Sequence, residues 1–317
     1  MEVINRPDYT EKVKKLFGKG FIIALTGQRR VGKSFIMRQV IKELSQDSAA
    51  HVIYIDKDNE EFSFVQSHEE LTKYVKSNLL SNKRNYLFVD EIQNIKEFEV
   101  SLRSFHTNDE CEMVITGSNA KMLSSELSTY LSGRCVEYHI QSLDYREFLT
   151  FHRLSDNNQS LHSYLKYGGL PQLHRIGLEE TELVDDYLKS VYHTIVLKDV
   201  IEREEIRNVP LLKNLIRFVG DNVGKVFSAS SIVKYLKSQQ VDSSTRVILN
   251  YLEYLCNAYI INRVNRYDIH GKRLFELNDK FYFEDIGIRN SLVASGRSSS
   301  MEKVIENVIY LHLVRLG

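Results

Sequence analysis

The most specific chemistry in the chain sits at Gly27-Gln28-Arg29-Arg30-Val31-Gly32-Lys33-Ser34, which fits the spacing G-x-x-x-x-G-K-[ST]. Glycines at those two places let the backbone wrap closely round phosphates with its N–H groups turned inward. Lys33 is expected to reach the β- and γ-phosphates and Ser34 to ligate Mg²⁺. Phe35, next in the following helix whose amino end favours an anion, is expected with residues 27–34 at the nucleotide. Further along, Tyr86-Leu87-Phe88-Val89-Asp90-Glu91 is an apolar strand ending in two carboxylates. Asp90 is expected in the Mg²⁺ shell, and Glu91 is expected to orient and deprotonate an attacking water. By itself this could be a strand running into an acidic turn, but it follows the phosphate loop by two strands. Nucleoside kinases and Ras-like GTPases do not usually need Glu91, and no N-K-x-D guanine-reading motif follows. ATP or ADP is therefore the expected ligand.

Two weaker signals lie downstream. Val114-Ile115-Thr116-Gly117-Ser118-Asn119 is a strand ending in small polar residues. Ser118 and Asn119 are expected jointly to sense the γ-phosphate, against the plainer reading of a turn or helix cap. Leu131-Ser132-Gly133-Arg134 precedes the fifth strand, and Arg134 is a candidate arginine finger or else a structural arginine. Its likeness to the ABC-transporter signature misleads, because that motif lies between the two phosphate-site motifs and this one follows both. Asp56, opening an acidic stretch after the second strand, is a minor candidate. Tyr167-Gly168-Gly169-Leu170-Pro171 either breaks a helix or packs on the adenine.

These residues need a frame. Apolar runs at 21–25, 52–55, 86–89, 113–116 and 135–140 alternate with helical stretches Phe35 to Leu44, Leu71 to Leu80 and Phe98 to Phe105. The runs lack strict in/out alternation, as strands covered on both faces do. Strand–helix alternation predicts an α/β fold with a parallel sheet, of the P-loop type with AAA-like strand arrangement. From Ser142 to about Asn222 the pattern is helical, broken at Gly168-Gly169, Pro171 and Pro210.

Beyond it, a helix from Ser228 to Leu236, a second helix opened by Ser243-Ser244-Thr245, and strands at Tyr259–Ile261 and Lys272–Leu277 follow the winged-helix plan. Lys225, Lys234, Lys237, Arg246, Arg263, Arg266, Lys272 and Arg273 outnumber Asp242, Glu253 and Asp268 there. That excess suits phosphate contact with double-stranded DNA. Only Arg246 and Asn250 offer base-reading chemistry on the second helix, and many winged helices serve packing or protein docking instead. Both readings stay open. The expected domains are a P-loop ATPase domain over 1–141, a helical lid over 142–222, a winged helix over 223–290, and over 291–317 the opening helix of a further, truncated domain.

Composition excludes several classes. The chain has 317 residues, 43% apolar and 26% charged, with 42 basic and 42 acidic side chains, so overall charge points to neither nucleic acid nor membrane. Cys111, Cys135 and Cys256 form no CxxC pair and suggest neither metal nor disulfide. No apolar run approaches membrane-spanning length, and a cytoplasmic setting is expected.

The series GQRRVGKS, LFVDEIQNI, VITGSNAKMLSSELSTYLSGR, LDYREFL and YGGLPQL resembles a large bacterial and archaeal family of AAA-superfamily ATPases. These are related to the STAND signalling ATPases and carry a DUF4143 carboxyl-terminal region. The resemblance spans nearly the whole chain. It implies ATP as ligand, Arg134 as the family's Gly-Arg arginine, Gly169-Leu170-Pro171 near the adenine, and Arg6 and Tyr9 near the base. Members usually continue into a restriction-endonuclease-like domain, and here no acidic residue with E-x-K follows, so no nuclease activity is assigned. Two functions are expected to compete: an ATP-hydrolysing switch acting on DNA, and a scaffold that holds ATP or ADP without turnover and docks a protein. A second copy of the chain is a further expected partner.

Overall fold

The computed structural model describes residues 4–120, 131, 133–265, 279–293 and 301–316. The chain divides into two compact units, Met1–Ile140 and Gln141–Gly317.

The first unit opens with α1 (Pro7–Lys14), which has Pro at its first turn and was not foreseen from the sequence. A parallel sheet follows, built from β1 (Ile22–Thr26), β2 (Ala50–Asp56), β3 (Arg84–Asp90), β4 (Glu112–Gly117) and β5 (Cys135–His139) in the order β2-β3-β4-β1-β5. Every residue of β1 is buried, as the uninterrupted apolar run predicts for a strand covered on both faces. The core joins Ile22 and Ala24 of β1 to Ile53, Ile55, Leu87, Val89 and Ile115 of the neighbouring strands. Helices α2 (Lys33–Leu44), α3 (His68–Asn78) and α4 (Phe98–Thr107) link successive strands. The third helix begins three residues before the apolar periodicity, because Ser67 and Glu70 form a reciprocal capping box. With β1 lying between β4 and β5 and every pairing parallel, the loops after β1, β3 and β4 share one carboxyl edge of the sheet.

The second unit is helical: α5 (Tyr145–His152), α6 (Asn158–Tyr167), α7 (Leu173–Ile176), α8 (Thr181–Thr194), a π-helical extension Ile195–Glu202, and α9 (Val209–Asp221). The break at Gly168-Gly169 has a packing reason. Gly169 N–H donates to Asp285 Oδ2 at 2.9 Å, and a Cβ on Gly169 would lie 2.2 Å from the Leu143 carbonyl oxygen. Then come α10 (Ala229–Ser238) and α11 (Thr245–Asn257), capped by Ser228 and Ser244 as expected. An antiparallel pair follows, β6 (Ile261–Val264) and β7 (Lys280–Phe283), and β6 starts later than the expected strand Tyr259–Ile261. Tyr259 takes a left-handed φ of 52°, which delays the first strand to Ile261. The expected strand Lys272–Leu277 and the His270-Gly271 turn lie outside the described residues.

Helices α12 (Ile286–Leu292) and α13 (Met301–Leu316) complete the unit. The last helix, expected to open a further domain, is held in this one. Fully buried Asn307 accepts from Phe283 N–H and donates to Phe283 C=O, both at 2.8 Å. Arg315 pairs with Asp144 at 2.6 Å and Glu147 at 2.7 Å. Among the described residues no helix is long and apolar enough to cross a membrane.

Candidate nucleotide site

Between the end of β1 and the start of α2 the backbone makes the turn that the glycine spacing predicts. Gly27 has φ 135°, and a Cβ there would sit 2.2 Å from the Ile140 carbonyl oxygen, so only glycine fits. Gly32 caps α2 with φ 101°, and exposed Arg30 takes a left-handed φ of 68°. Lys33 is buried, and its Nζ donates to the carbonyls of Gly27 and Gln28 at 2.9 Å each. The ammonium thus lies folded on the loop that a phosphate would enter. Val31 is buried, Arg29 and Ser34 are half-buried, and Phe35 is exposed.

At the end of β3 the two carboxylates diverge. Asp90 follows the strand and is buried; burial raises its pKa, while hydrogen bonds from Thr116 and Ser34 pull it back. Ser34 and Asp90, expected as metal ligands, are thus in contact. Both offer hard oxygen atoms, and a cation would relieve the burial penalty on the carboxylate, so the pair fits Mg²⁺. Glu91 takes a left-handed φ of 54°, which turns its side chain away from that of Asp90. Its N–H donates to Thr116 Oγ1 at 2.9 Å, and the Thr116 hydroxyl donates onward to Asp90 Oδ1. The Glu91 carboxylate accepts from Ser118 Oγ at 3.1 Å and from Gln93 Nε2. Burial alone would raise its pKa; the charges of Lys33 and Arg29 and the bonds from Gln93 and Ser118 outweigh it and hold the group below its ordinary value. A carboxylate in that state is ionised at neutral pH and able to accept a proton.

Other expected residues fall at different distances from this network. Ser118 belongs to it directly, and Asn119 is buried beside it in the chain. Buried Arg6 donates from Nη1 to the Val31 carbonyl at 3.0 Å and lies over the Tyr9 ring at 4.6 Å. The pair therefore braces the phosphate loop from α1. Asp56 accepts from Arg38 Nη2 at 3.1 Å and from the Tyr54 hydroxyl at 3.2 Å, while that hydroxyl also reaches Asp90 Oδ2 at 3.4 Å. Burial pushes the Tyr54 phenol up to about 12, so it stays a donor.

Arg134 is not brought to the loop. It is exposed, and its carbonyl accepts from Ile22 N–H at 2.8 Å, level with the start of β1. Five strand steps of ~3.3 Å put it about 17 Å from the phosphate loop, at the sheet's opposite edge. Pro171 lies in the second unit, and its assignment to the adenine rests on the sequence alone. Among the described residues no group of three or more His, Cys, Asp or Glu could hold a metal ion.

Three members of the network escaped the sequence reading. Thr116 was visible as a polar residue inside an apolar strand, and Tyr54 shares a strand face with Asp56 two residues on. Gln93 carried no signal beyond its place in LFVDEIQNI, since only the left-handed turn at Glu91 folds it back.

An interior β1 beside β4, a phosphate loop after it and an Asp-Glu pair at the end of the neighbouring-but-one strand define an AAA-type P-loop domain, and comparison with known proteins agrees. Residues 19–149 match the family described as "AAA domain", and residues 158–299 match a domain of unknown function, DUF8612. That second match replaces the DUF4143 region expected from the resemblance. The chain belongs to the same family as an uncharacterized protein of Haemophilus influenzae, to which it is 31% identical over 324 residues, spanning 99% of this chain and 80% of that one. It is also similar to the uncharacterized protein MJ1544 of Methanocaldococcus jannaschii, at 28% identity over 93% of this chain and 67% of the relative. Among solved structures, the Walker-type ATPase PABY2304 of Pyrococcus abyssi shares the fold with a TM-score of 0.63, at 15% identity over 91% of this chain and 96% of the other.

Proposed function

We propose that the first unit binds ATP with Mg²⁺ and hydrolyses it, and that the chain works as a nucleotide-dependent switch. The observation that carries this reading is the single hydrogen-bonded network of Ser34, Asp90, Thr116, Glu91 and Ser118 beside the Lys33 loop. In this reading the loop N–H groups between Gly27 and Ser34 receive the phosphates, and Lys33 exchanges its two carbonyl partners for phosphate oxygens. Ser34 and Asp90 would hold Mg²⁺, which would supply positive charge against the phosphate oxygens when bound. Glu91 orients a water whose oxygen forms a new bond to the γ-phosphorus. The bond to the ADP oxygen breaks with its electron pair, and the water's proton passes to Glu91 and then to phosphate. In the same reading the Ser118 hydroxyl, which donates to Glu91 at 3.1 Å, passes to the γ-phosphate when ATP is bound.

The test is ATP turnover by wild type and Glu91→Gln. We expect the variant to bind Mg-ATP normally and to lose at least about 100-fold in turnover, the usual weight of a positioned base. Equal rates would remove Glu91 from the mechanism. Background turnover in wild type together with tightly copurified ADP would make the chain a nucleotide-holding scaffold.

For the second unit we propose a winged helix that contacts duplex DNA. The order α10, α11, β6, β7, with Phe227 bridged to Asp279, supports that plan. Exposed Lys234, Lys237 and Arg246 support phosphate contact. Arg263 does not, since Asp279 Oδ2 holds it at 2.6 Å. The domain division follows, with a helical segment before residue 223 and the winged helix after it.

A further inference from the structure

Gln93 follows Glu91 by two residues, in the single helical turn Ile92–Asn94. Its carboxamide does two unequal things. The Nε2 end donates to Glu91 Oε2 and lies 3.3 Å from Ser118 Oγ, so one amino group touches both the expected base and the expected sensor. The Oε1 end is buried and has no hydrogen-bond partner. An unmatched buried carbonyl is unfavourable by about 1–3 kcal/mol, so its persistence needs a reason. Its place, on the carboxamide that already grips Glu91, points to a water molecule beside the base as its partner.

We propose that Gln93 positions the attacking water, fixing the Glu91 carboxylate through Nε2 and accepting one hydrogen of the water through Oε1. The inference rests on the hydrolytic reading above and adds to it a residue that does not bind nucleotide. Water held at two acceptors is fixed in direction, and Glu91 alone supplies only one. The proton that leaves still goes to Glu91; the hydrogen facing Gln93 stays on the water oxygen and remains with the phosphate formed. Ser118, already shared with Nε2, stays free to leave for the γ-phosphate without releasing Glu91.

Steady-state ATP turnover of the full chain with Mg²⁺ tests this, using Gln93→Met, which keeps the shape and removes both polar ends, and Gln93→Ala. Binding of a fluorescent ATP analogue and thermal unfolding are followed in parallel. We expect kcat to fall tenfold or more in both variants, with KM and analogue affinity within twofold of wild type and the unfolding temperature not reduced in Gln93→Met. Unchanged kcat in Gln93→Met overturns the proposal while leaving hydrolysis intact. A rise in kcat also overturns it, because Gln93 would then restrain Glu91. A kcat loss matched by loss of affinity or of folded protein assigns Gln93 to the scaffold instead. Absence of turnover in wild type removes the hydrolytic reading and this inference with it.

Discussion

Thr116 joins the two carboxylates: its hydroxyl donates to Asp90 while accepting the Glu91 N–H. Replacing it by the isosteric valine keeps the volume and strands a buried carboxylate oxygen and a buried N–H. Each unmet group is worth about 1–3 kcal/mol, so Thr116→Val should lower unfolding free energy by about 2–4 kcal/mol in urea titration. Its affinity for Mg-ATP should fall as well, because Asp90 loses the donor that orients it. An unchanged urea midpoint would show that Thr116 is a bystander. The sequence made this residue legible only as an oddity, a hydroxyl in an apolar strand; its two partners, Asp90 at the end of β3 and Glu91 just after it, are more than twenty residues away.

At the scale of elements, α5 and α13 carry the clearest consequences in the second unit. His152, on α5, packs against Phe148 with ring centroids 4.3 Å apart, and its buried Nε2 lacks a partner. Burial, aided by the nearby His174 and opposed by Glu179, pushes its pKa down to about 4. The unfolded chain takes up this proton near pH 6.5 and the folded one only near 4. The neutral ring's contribution is therefore whole above pH 6.5 and is lost as pH falls toward 4. Allowing for partial exposure, about 1–2 kcal/mol should disappear between pH 7.5 and 5. His152→Phe should flatten that part of the profile, measured by urea unfolding at the two pH values. On α13, Asn307→Ala breaks both bonds to Phe283 and should cost about 2–3 kcal/mol, read the same way. A smaller effect, below 0.5 kcal/mol, would mean that α13 is held by its apolar contacts alone.

For the whole molecule, the place of Arg134 matters most. A finger about 17 Å from its own phosphate loop can act only on the nucleotide of a second copy. If Arg134 serves catalysis, specific turnover should rise with protein concentration, and Arg134→Ala should abolish that rise while leaving Mg-ATP affinity unchanged. Turnover independent of concentration would return Arg134 to a structural role. If the second unit is a winged helix on duplex DNA, its binding should weaken steeply with salt, and Lys234→Ala/Lys237→Ala should reduce the salt slope by about 2. An unaltered slope would favour a docking module.

The sequence by itself determined the phosphate loop, the two carboxylates, the parallel sheet and the succession of helices. These depend on local rules: glycine spacing, apolar runs with no alternation, and capping residues such as Ser228 and Ser244. It left α1 unseen and did not anticipate the hold of Phe283 and Asp144 on α13, because both are decided by partners distant in the chain. Tertiary structure alone decided which polar groups meet. The left-handed turn at Glu91 brings Gln93 back to its carboxylate, and parallel register sets Asp56 beside Asp90. The same register carries Arg134 to the far edge of the sheet, because a motif's position along the chain does not state which end of a strand it will occupy.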